Sequence, residues 1–441
     1  MYFANDLTGT INQGEALPDQ KQVEPGDPIN IVLMGSDTRE GKGDSGAYGN
    51  SSEITGARSD TTIVVHISGD RQHAMAVSIP RDSSVTLPMC KTPDGTTKGG
   101  YHAIFNAAFE LGGPTCTVKL ITQLTGLDIN HYVVVDFAGF KNVVDALGGV
   151  DVCLKNPVND PDSHLVLSAG EHTISGNQAL AFVRARKTIG DGSDLSRIQR
   201  QQEFLSSAIR KATSAGVLAN PFQLYSVAKA AAKSLTTDPD LANIEALQNL
   251  ALMTSDVKPS SIVFATVPTT YDDNGSSVTW VPSESQELWD AMRNDEQWPA
   301  AASTGVDGKP LTAAPADITV NLQNASGVSG QALKFSQLLA NERYQIGTVT
   351  SASKKSQSVI LYNPNYDAQA EAARTLSYAT GLPTRATTSQ YGSAVTLLVG
   401  SDMPTSLRPV VATPKQSPNV NGPKPRSADQ KICAAGNGPT G

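Results

Sequence analysis

Between Arg184 and Gln202 the chain reads RARKTIGDGSDLSRIQRQQ, with five positive charges (Arg184, Arg186, Lys187, Arg197, Arg200) against two negative ones (Asp191, Asp194). The chain as a whole carries a formal net charge of −8, so this cluster runs against its composition. A guanidinium is a planar fork of donors that grips two oxygens of a phosphate at once. A helix starting at or just before Asp194 puts Arg197 and Gln201 on one face. Leu205 continues that face as an apolar one. The start of a helix presents unpaired N–H groups and the positive end of its dipole, a ready anion site. If Arg184 and Arg186 are extended, their side chains also fall on one side. Converging in this way, the groups form a phosphate or pyrophosphate clamp. The competing reading is a solvated face of surface ion pairs, which mixed-charge runs usually are.

Three other short stretches place charge at the ends of apolar runs. GSDTR (35–39) sets Asp37 and Arg39 directly after one, SIPRD (78–82) sets Arg81 and Asp82 after another, and ARSDTT (57–62) sets Arg58 and Asp60 just before a third. In open α/β sheets ligands collect beyond the carboxyl ends of the strands. Asp37 and Asp60, with no cysteine or histidine cluster beside them, suit a hard cation such as Mg²⁺ or Mn²⁺ held together with substrate phosphate. Taken singly, each also reads as a strand-end cap or an arginine partner. The histidines His66, His73, His102, His131, His164 and His172 show no ligand spacing and read as structural or surface residues.

The elements that must position these groups follow from periodicity. Apolar runs at 29–35, 61–68 and 73–80 predict buried strands. Helices are predicted at 101–113, 114–126 and 138–149, around strands at 131–137 and 150–154. LVLSAGEHTI (165–174) reads as a hairpin or loop pair. A long helix over 193–214 precedes helices at 222–235 and 241–255, a strand at 260–268 and a helix at 285–295. Strands alternating with helices indicate an α/β layer fold. Residues 1–27 are predicted as an extended lead-in, 28–297 as the first domain and 298–316 as an Ala/Thr/Gly/Pro linker. A second small α/β domain is predicted over 317–403, with a Pro/Ser/Asn/Lys-rich, structureless tail over 404–441.

At 441 residues the chain is long enough for two cores. Its acidity argues against general nucleic-acid binding. It has no apolar run long enough to span a bilayer. The opening MYFANDLTGT lacks a signal-peptide pattern and reads as the cut end of an ectodomain. Four cysteines, Cys90, Cys116, Cys153 and Cys433, allow three pairings. Cys90–Cys116 with Cys153–Cys433 is favoured, since a lone cysteine in such a tail suggests tethering, and disulfides imply an extracytoplasmic compartment. Four free thiols are the alternative.

GSDTR, ARSDTT, SIPRD, HYVVVDFAGFKNVVDALGGVDV and the basic segment occur in the order found in the LytR-CpsA-Psr family, and the chain resembles that family closely over about 29–215. Residues 320–402 resemble the small C-terminal domain of some members. The resemblance implies an α/β domain with a central mixed sheet and helices on both faces, in a membrane-anchored, extracytoplasmic enzyme. Its donor would be a glycopolymer on a polyprenyl pyrophosphate, its acceptor a hydroxyl of peptidoglycan, and its metal Mg²⁺ or Mn²⁺. The second domain and the cysteines look like the actinobacterial branch, where the polymer would be arabinogalactan. Asp37 and Asp60 match acidic positions tied to metal and catalysis, with Arg58 before Asp60. Arg81 matches a pyrophosphate-binding arginine. Arg184, Arg186, Arg197 and Gln201 match positions facing the same groups, and Asp194 an acidic position of the helix start. The long glycine-rich loop between Asp37 and Arg58 departs from the family pattern and leaves the placement of Asp37 open. A lipid slot is expected between the sheet and helices at 101–126, 138–147 or 220–255, with Phe105, Phe109, Phe140 and Phe222 as its apolar residues or as plain core. Two other readings are a polyprenyl-pyrophosphate pyrophosphatase and a non-catalytic lipid- or glycan-binding protein of wall assembly.

Overall fold

The computed structural model describes residues 11–18, 23–36, 59–185, 194–254, 256–272, 275–299, 303–412 and 425–430. They group into two compact units, one drawn from 1–298 with 419–441 and the other from 299–418.

The larger unit is built on an eight-stranded mixed sheet. Its strands are β1 (Asn12–Gln13), β2 (Ile29–Ser36), β3 (Ser59–Ile67), β4 (Ala74–Ile79), β5 (His131–Asp136), β6 (Leu235–Thr237), β7 (Ile262–Thr266) and a tail strand, Arg426–Ser427. In space they run β1-β6-β5-β2-β3-β4-β7-tail. β5 pairs parallel with β2 and β7 parallel with β4, whereas β3 is antiparallel to both of its neighbours. The ends of β2, β4, β5 and β7 and the start of β3 therefore share one edge.

Alternation along the strands splits the core in two, because successive side chains leave opposite faces. Val32, Met34, Val64 and Val77 pack on one face with α1 (Ala107–Thr125) and the helix Pro282–Arg293. Ile31, Ile63, Val65 and Ala76 serve the other face, with α4 (Asp194–Ala212) and the helix Ile244–Thr254. This is the expected layered α/β architecture. On the second face, α2 (Phe137–Ala146), α3 (Gly176–Arg184) and α4 form a satellite core around Phe182 and Phe204. The smaller unit has a five-stranded sheet and the helices Gln331–Asn341 and Asp367–Thr380 around Phe335, Leu339 and Leu376.

Several elements differ from expectation. Residues 101–106 are not helical. His102–Ile104 pairs with Ser84–Thr86, and α1 starts at Ala107. Gly112 and Gly113 leave helical geometry inside α1. A Cβ on Gly112 would lie 2.9 Å from the Cβ of Cys116 and 3.1 Å from that of Cys90, so the glycine lets the disulfide seat itself at the kink. The 165–174 stretch is not a hairpin either. Leu165–Leu167 pairs with Val158–Asp160, and Gly170–Ile174 with Val150–Leu154. The lead-in supplies β1, and Leu17 is buried. In the segment expected as a linker, Ala313 belongs to the smaller unit's core and Leu311 is buried. The tail is not wholly structureless. Arg426–Ser427 pairs antiparallel with β7, and Ala428 is buried. An open sheet edge offers unpaired backbone groups, so two residues and one small apolar side chain suffice to dock there, too short a signal for composition to reveal.

Cys90 and Cys116 form a disulfide across 26 residues. Cys153 is also disulfide-bonded, and its expected partner, Cys433, lies outside the described residues. Closing a loop of this length restricts the unfolded chain by about 3.5 kcal/mol. Cys90→Ala/Cys116→Ala is therefore expected to lower the stability of the larger unit by about that amount. Tryptophan fluorescence in urea checks it cleanly, since Trp280, Trp289 and Trp298 all belong to that unit. An unchanged midpoint would refute it.

Candidate active site

At the shared sheet edge two cations and three carboxylates interlock. Arg81 lies just beyond the end of β4. Its Nη1 donates to Asp60 Oδ1 at 2.6 Å, and its Nε lies 3.4 Å from Asp82 Oδ1 and 3.5 Å from Asp194 Oδ1. Burial pulls the Arg81 pKa down, but Asp82, Asp60 and Asp194 outweigh it and hold the guanidinium above its ordinary value. From the first turn of α4, buried Arg197 pairs with Asp194 and donates from Nη2 to the backbone oxygen of Asp60 at 3.3 Å. Asp60 is thus held twice, side chain by Arg81 and main chain by Arg197. Gln202 fixes the next turn of α4 onto the sheet. Its buried Nε2 lies 2.8 Å from Ala265 O and 3.0 Å from both Ser78 Oγ and Thr266 Oγ1. That ties α4 to the ends of β4 and β7.

Beside this cluster a cavity of about 520 Å³ runs between the sheet and helices α2, α3 and α4. Most of its wall is apolar: Leu33 and Ile63 from the sheet, Phe137 and Phe140 from α2, Leu180 and Val183 from α3, Phe204 and Leu205 from α4. Its polar lining comprises Asp60, Asp162, Ser163, Arg184, Arg197 and Gln201, among others. α2 is fixed at its start by Asp136, which accepts from Gly139 N at 2.6 Å. Arg184 lies over the Phe137 ring, 4.6 Å from its centroid, a cation–π contact that holds the charge at the wall. A smaller cavity of about 240 Å³ is lined by Arg81, Asp82, Asp194, Tyr271, Ser276 and Ser277.

The structure therefore brings Asp60, Arg81, Asp194 and Arg197 together and places Arg184 and Gln201 on the same cavity. Asp37, Arg58 and Arg186 lie outside the described residues. Arg200, counted among the basic charges, is buried and donates to the carbonyl of Ala185. It braces α4 against the end of α3. Of the aromatic residues considered for the slot, only Phe140 lines the cavity. Phe105 and Phe109 belong to the core on the opposite face, and Phe222 is exposed. Asp162 and Ser163 were not singled out from sequence. They sit in the NDPDSH turn, where Ser163 N donates to Asp160 Oδ1 at 2.8 Å. The Ser163 hydroxyl is buried and makes no hydrogen bond among the described residues. The available signal was a dense Asp/Pro/Ser turn between two short apolar runs. No helix of the described residues is long and apolar enough to cross a membrane.

The sequence is similar to several known proteins. LcpB of Corynebacterium glutamicum is 34% identical over 289 residues, covering 64% of this chain and 65% of LcpB, just under two thirds of its length. The cell wall biosynthesis protein LcpA of the same organism is 30% identical over 387 residues, covering 79% of this chain and 71% of LcpA. The polyisoprenyl-teichoic acid–peptidoglycan teichoic acid transferase TagT of Bacillus subtilis is 34% identical over 201 residues, covering 44% of this chain and 56% of TagT. The profile of the LytR cell envelope-related transcriptional attenuator matches residues 317–402. The LytR_cpsA_psr profile matches residues 4–294, well over half of the sequence, and the chain belongs to that family.

Proposed function

We propose that this chain transfers a glycosyl phosphate from a polyprenyl-pyrophosphate-linked glycopolymer to a hydroxyl of peptidoglycan. The observation that carries the reading is the junction of the apolar cavity with the Asp60–Arg81–Arg197 cluster at one sheet edge. A polyprenyl chain gains roughly 0.8 kcal/mol for each buried CH₂, so a slot of this kind anchors the lipid and presents its pyrophosphate to the arginines. The name of TagT supports the same pairing of polyisoprenyl donor and peptidoglycan acceptor. We take the polymer to be arabinogalactan, as the actinobacterial resemblance implies, and the setting to be the outer face of the cell membrane.

In this reading the acceptor oxygen attacks the phosphorus that bears the sugar. The bond from that phosphorus to the lipid phosphate breaks, and polyprenyl phosphate leaves. The hydroxyl proton passes to a carboxylate, for which Asp60 is our choice and Asp37 the alternative. Such a transfer needs positioning and charge stabilisation more than covalent help. Arg81, Arg184 and Arg197 supply donors, already held by their partners. The polar cavity beside Arg81 and Tyr271 is our candidate entry for the acceptor. Three carboxylates against two guanidiniums leave the cluster short of positive charge. That donor set suits Mg²⁺ or Mn²⁺, with Asp60 as a ligand and Asp37 as the other candidate. When bound, such an ion adds positive charge for the phosphate oxygens.

The test uses a short-chain polyprenyl-pyrophosphate disaccharide, a peptidoglycan fragment and Mg²⁺, with the sugar phosphate followed by mass spectrometry. Ligated product is expected. Lipid phosphate released without ligation would replace transfer by hydrolysis, and tight lipid binding with no turnover would make the protein a carrier or scaffold.

A further inference from the structure

His66 lies at the far end of β3 from Asp60, six residues on, or about 20 Å at ~3.3 Å per residue. Its ring is fully buried and fixed from one side. Asn30 Nδ2 donates to the carbonyl of Asp128 at 2.9 Å, which turns Asn30 Oδ1 toward His66 Nδ1 at 2.8 Å. Nδ1 must therefore carry a hydrogen. In the neutral ring Nε2 then presents a lone pair, and it faces another acceptor, Asp295 Oδ1, at 3.0 Å. Two acceptors at this distance repel unless a cation lies between them. His73 stands alongside, its ring centroid 6.4 Å from that of His66. Its Nε2 is buried and has no hydrogen-bond partner among the described residues. One ligand atom from each of His66, His73 and Asp295 lies within 4.8 Å of the others.

We propose that His66, His73 and Asp295 bind a divalent transition-metal ion of the zinc class, at the sheet edge opposite the cavity. Two imidazoles and a carboxylate are a donor set that zinc takes, with ligand bonds of about 2.1 Å. Two such ligands 3.0 Å apart subtend roughly a right angle at the ion, so modest opening reaches tetrahedral geometry. The second oxygen of Asp295 accepts from Gly69 N at 2.9 Å, which holds the carboxylate in place. A fourth position falls to water. The neighbouring positive charge, Arg71, donates to the carbonyls of Asp27 at 3.0 Å and Ser68 at 2.6 Å. Magnesium, which prefers six oxygen ligands, does not suit this set. The bound ion ties the residue just past the helix Pro282–Arg293 to the β3–β4 turn. The site escapes sequence spacing because its carboxylate lies more than two hundred residues from its imidazoles.

The test takes the full chain, without a histidine tag and stripped by chelator, and titrates it calorimetrically with Zn²⁺ and spectroscopically with Co²⁺. One zinc per chain is expected at this site, with the visible Co²⁺ bands of a four-coordinate site containing nitrogen donors. His73→Ala and Asp295→Asn should each weaken zinc binding at least tenfold and abolish a zinc-dependent rise in the unfolding midpoint. Asp60→Asn should leave the Co²⁺ bands unchanged. If His73→Ala misfolds, His73→Gln with circular dichroism as a fold check gives the same comparison. No saturable zinc binding by the parent, or equal affinity in the parent and the folded variants, would overturn the proposal.

Discussion

Arg81→Ala is expected to lower the rate of ligated-product formation by about 10²–10³-fold, the cost of removing one charged donor aimed at a developing oxyanion. The reasoning starts from its contacts. Arg81 touches all three carboxylates of the cluster, Asp60, Asp82 and Asp194. Alanine leaves those acids facing one another and facing an incoming pyrophosphate, so donor binding and reaction both suffer. Lysine should restore little, because a point charge on a flexible stem cannot span acids that Nη1 and Nε reach from one rigid plane. The split between kcat and KM shows what the arginine does. A rise in KM alone means it grips the ground-state pyrophosphate, and a fall in kcat means its grip tightens in the transition state. Parent-like turnover by a folded Arg81→Ala protein would sink the assignment.

The parts of this site that could be read in advance share a physical property: their signals are local. Asp60, Arg81 and Asp194 sit at the ends of strands or at a helix start, and those ends are marked by where apolar runs stop. Arg197 follows by helical spacing. What escaped was whatever depends on distant partners. Charge counting cannot tell Arg197, which holds Asp60, from Arg200, which braces Ala185. Gln202 looks like one more polar helix residue until β4 and β7 arrive to surround it. The slot's walls come from Phe137, Leu180 and Phe204 on three helices, and periodicity shows only that each helix has an apolar face. The 101–113 stretch read as a helix because its apolar residues suit one. Pairing with Ser84–Thr86 claimed its first part, an instance of tertiary contact overriding local preference.

The acid beside Gln202 should make the stability of the larger unit depend on pH. Glu203 is fully buried, with Oε1 3.2 Å from Arg426 Nη1 of the tail strand and 3.3 Å from the donating Nε2 of Gln199. Burial pushes the Glu203 pKa up from its ordinary 4.5 to about 7, and Arg426 only partly opposes this. Burial likewise pulls the Arg426 pKa down. Both shifts say that the pair recovers less than it loses by leaving water. The folded state then keeps the Glu203 proton up to about pH 7, whereas the unfolded chain releases it near 4.5. Between those values the folded state binds more protons, so this contribution to stability is fully present below about 4.5 and is lost as pH rises through 7. At 1.36 kcal/mol for each pKa unit, the loss is about 3 kcal/mol. Glu203→Gln removes the titration and keeps the shape. Its stability relative to the parent should therefore improve by about 3 kcal/mol between pH 4.5 and pH 8, read from tryptophan fluorescence in urea. Parallel curves for the two proteins would show that Glu203 is ionised throughout. The Arg426 pair would then be a net tether of the tail to α4, the helix that carries Arg197 and Gln201.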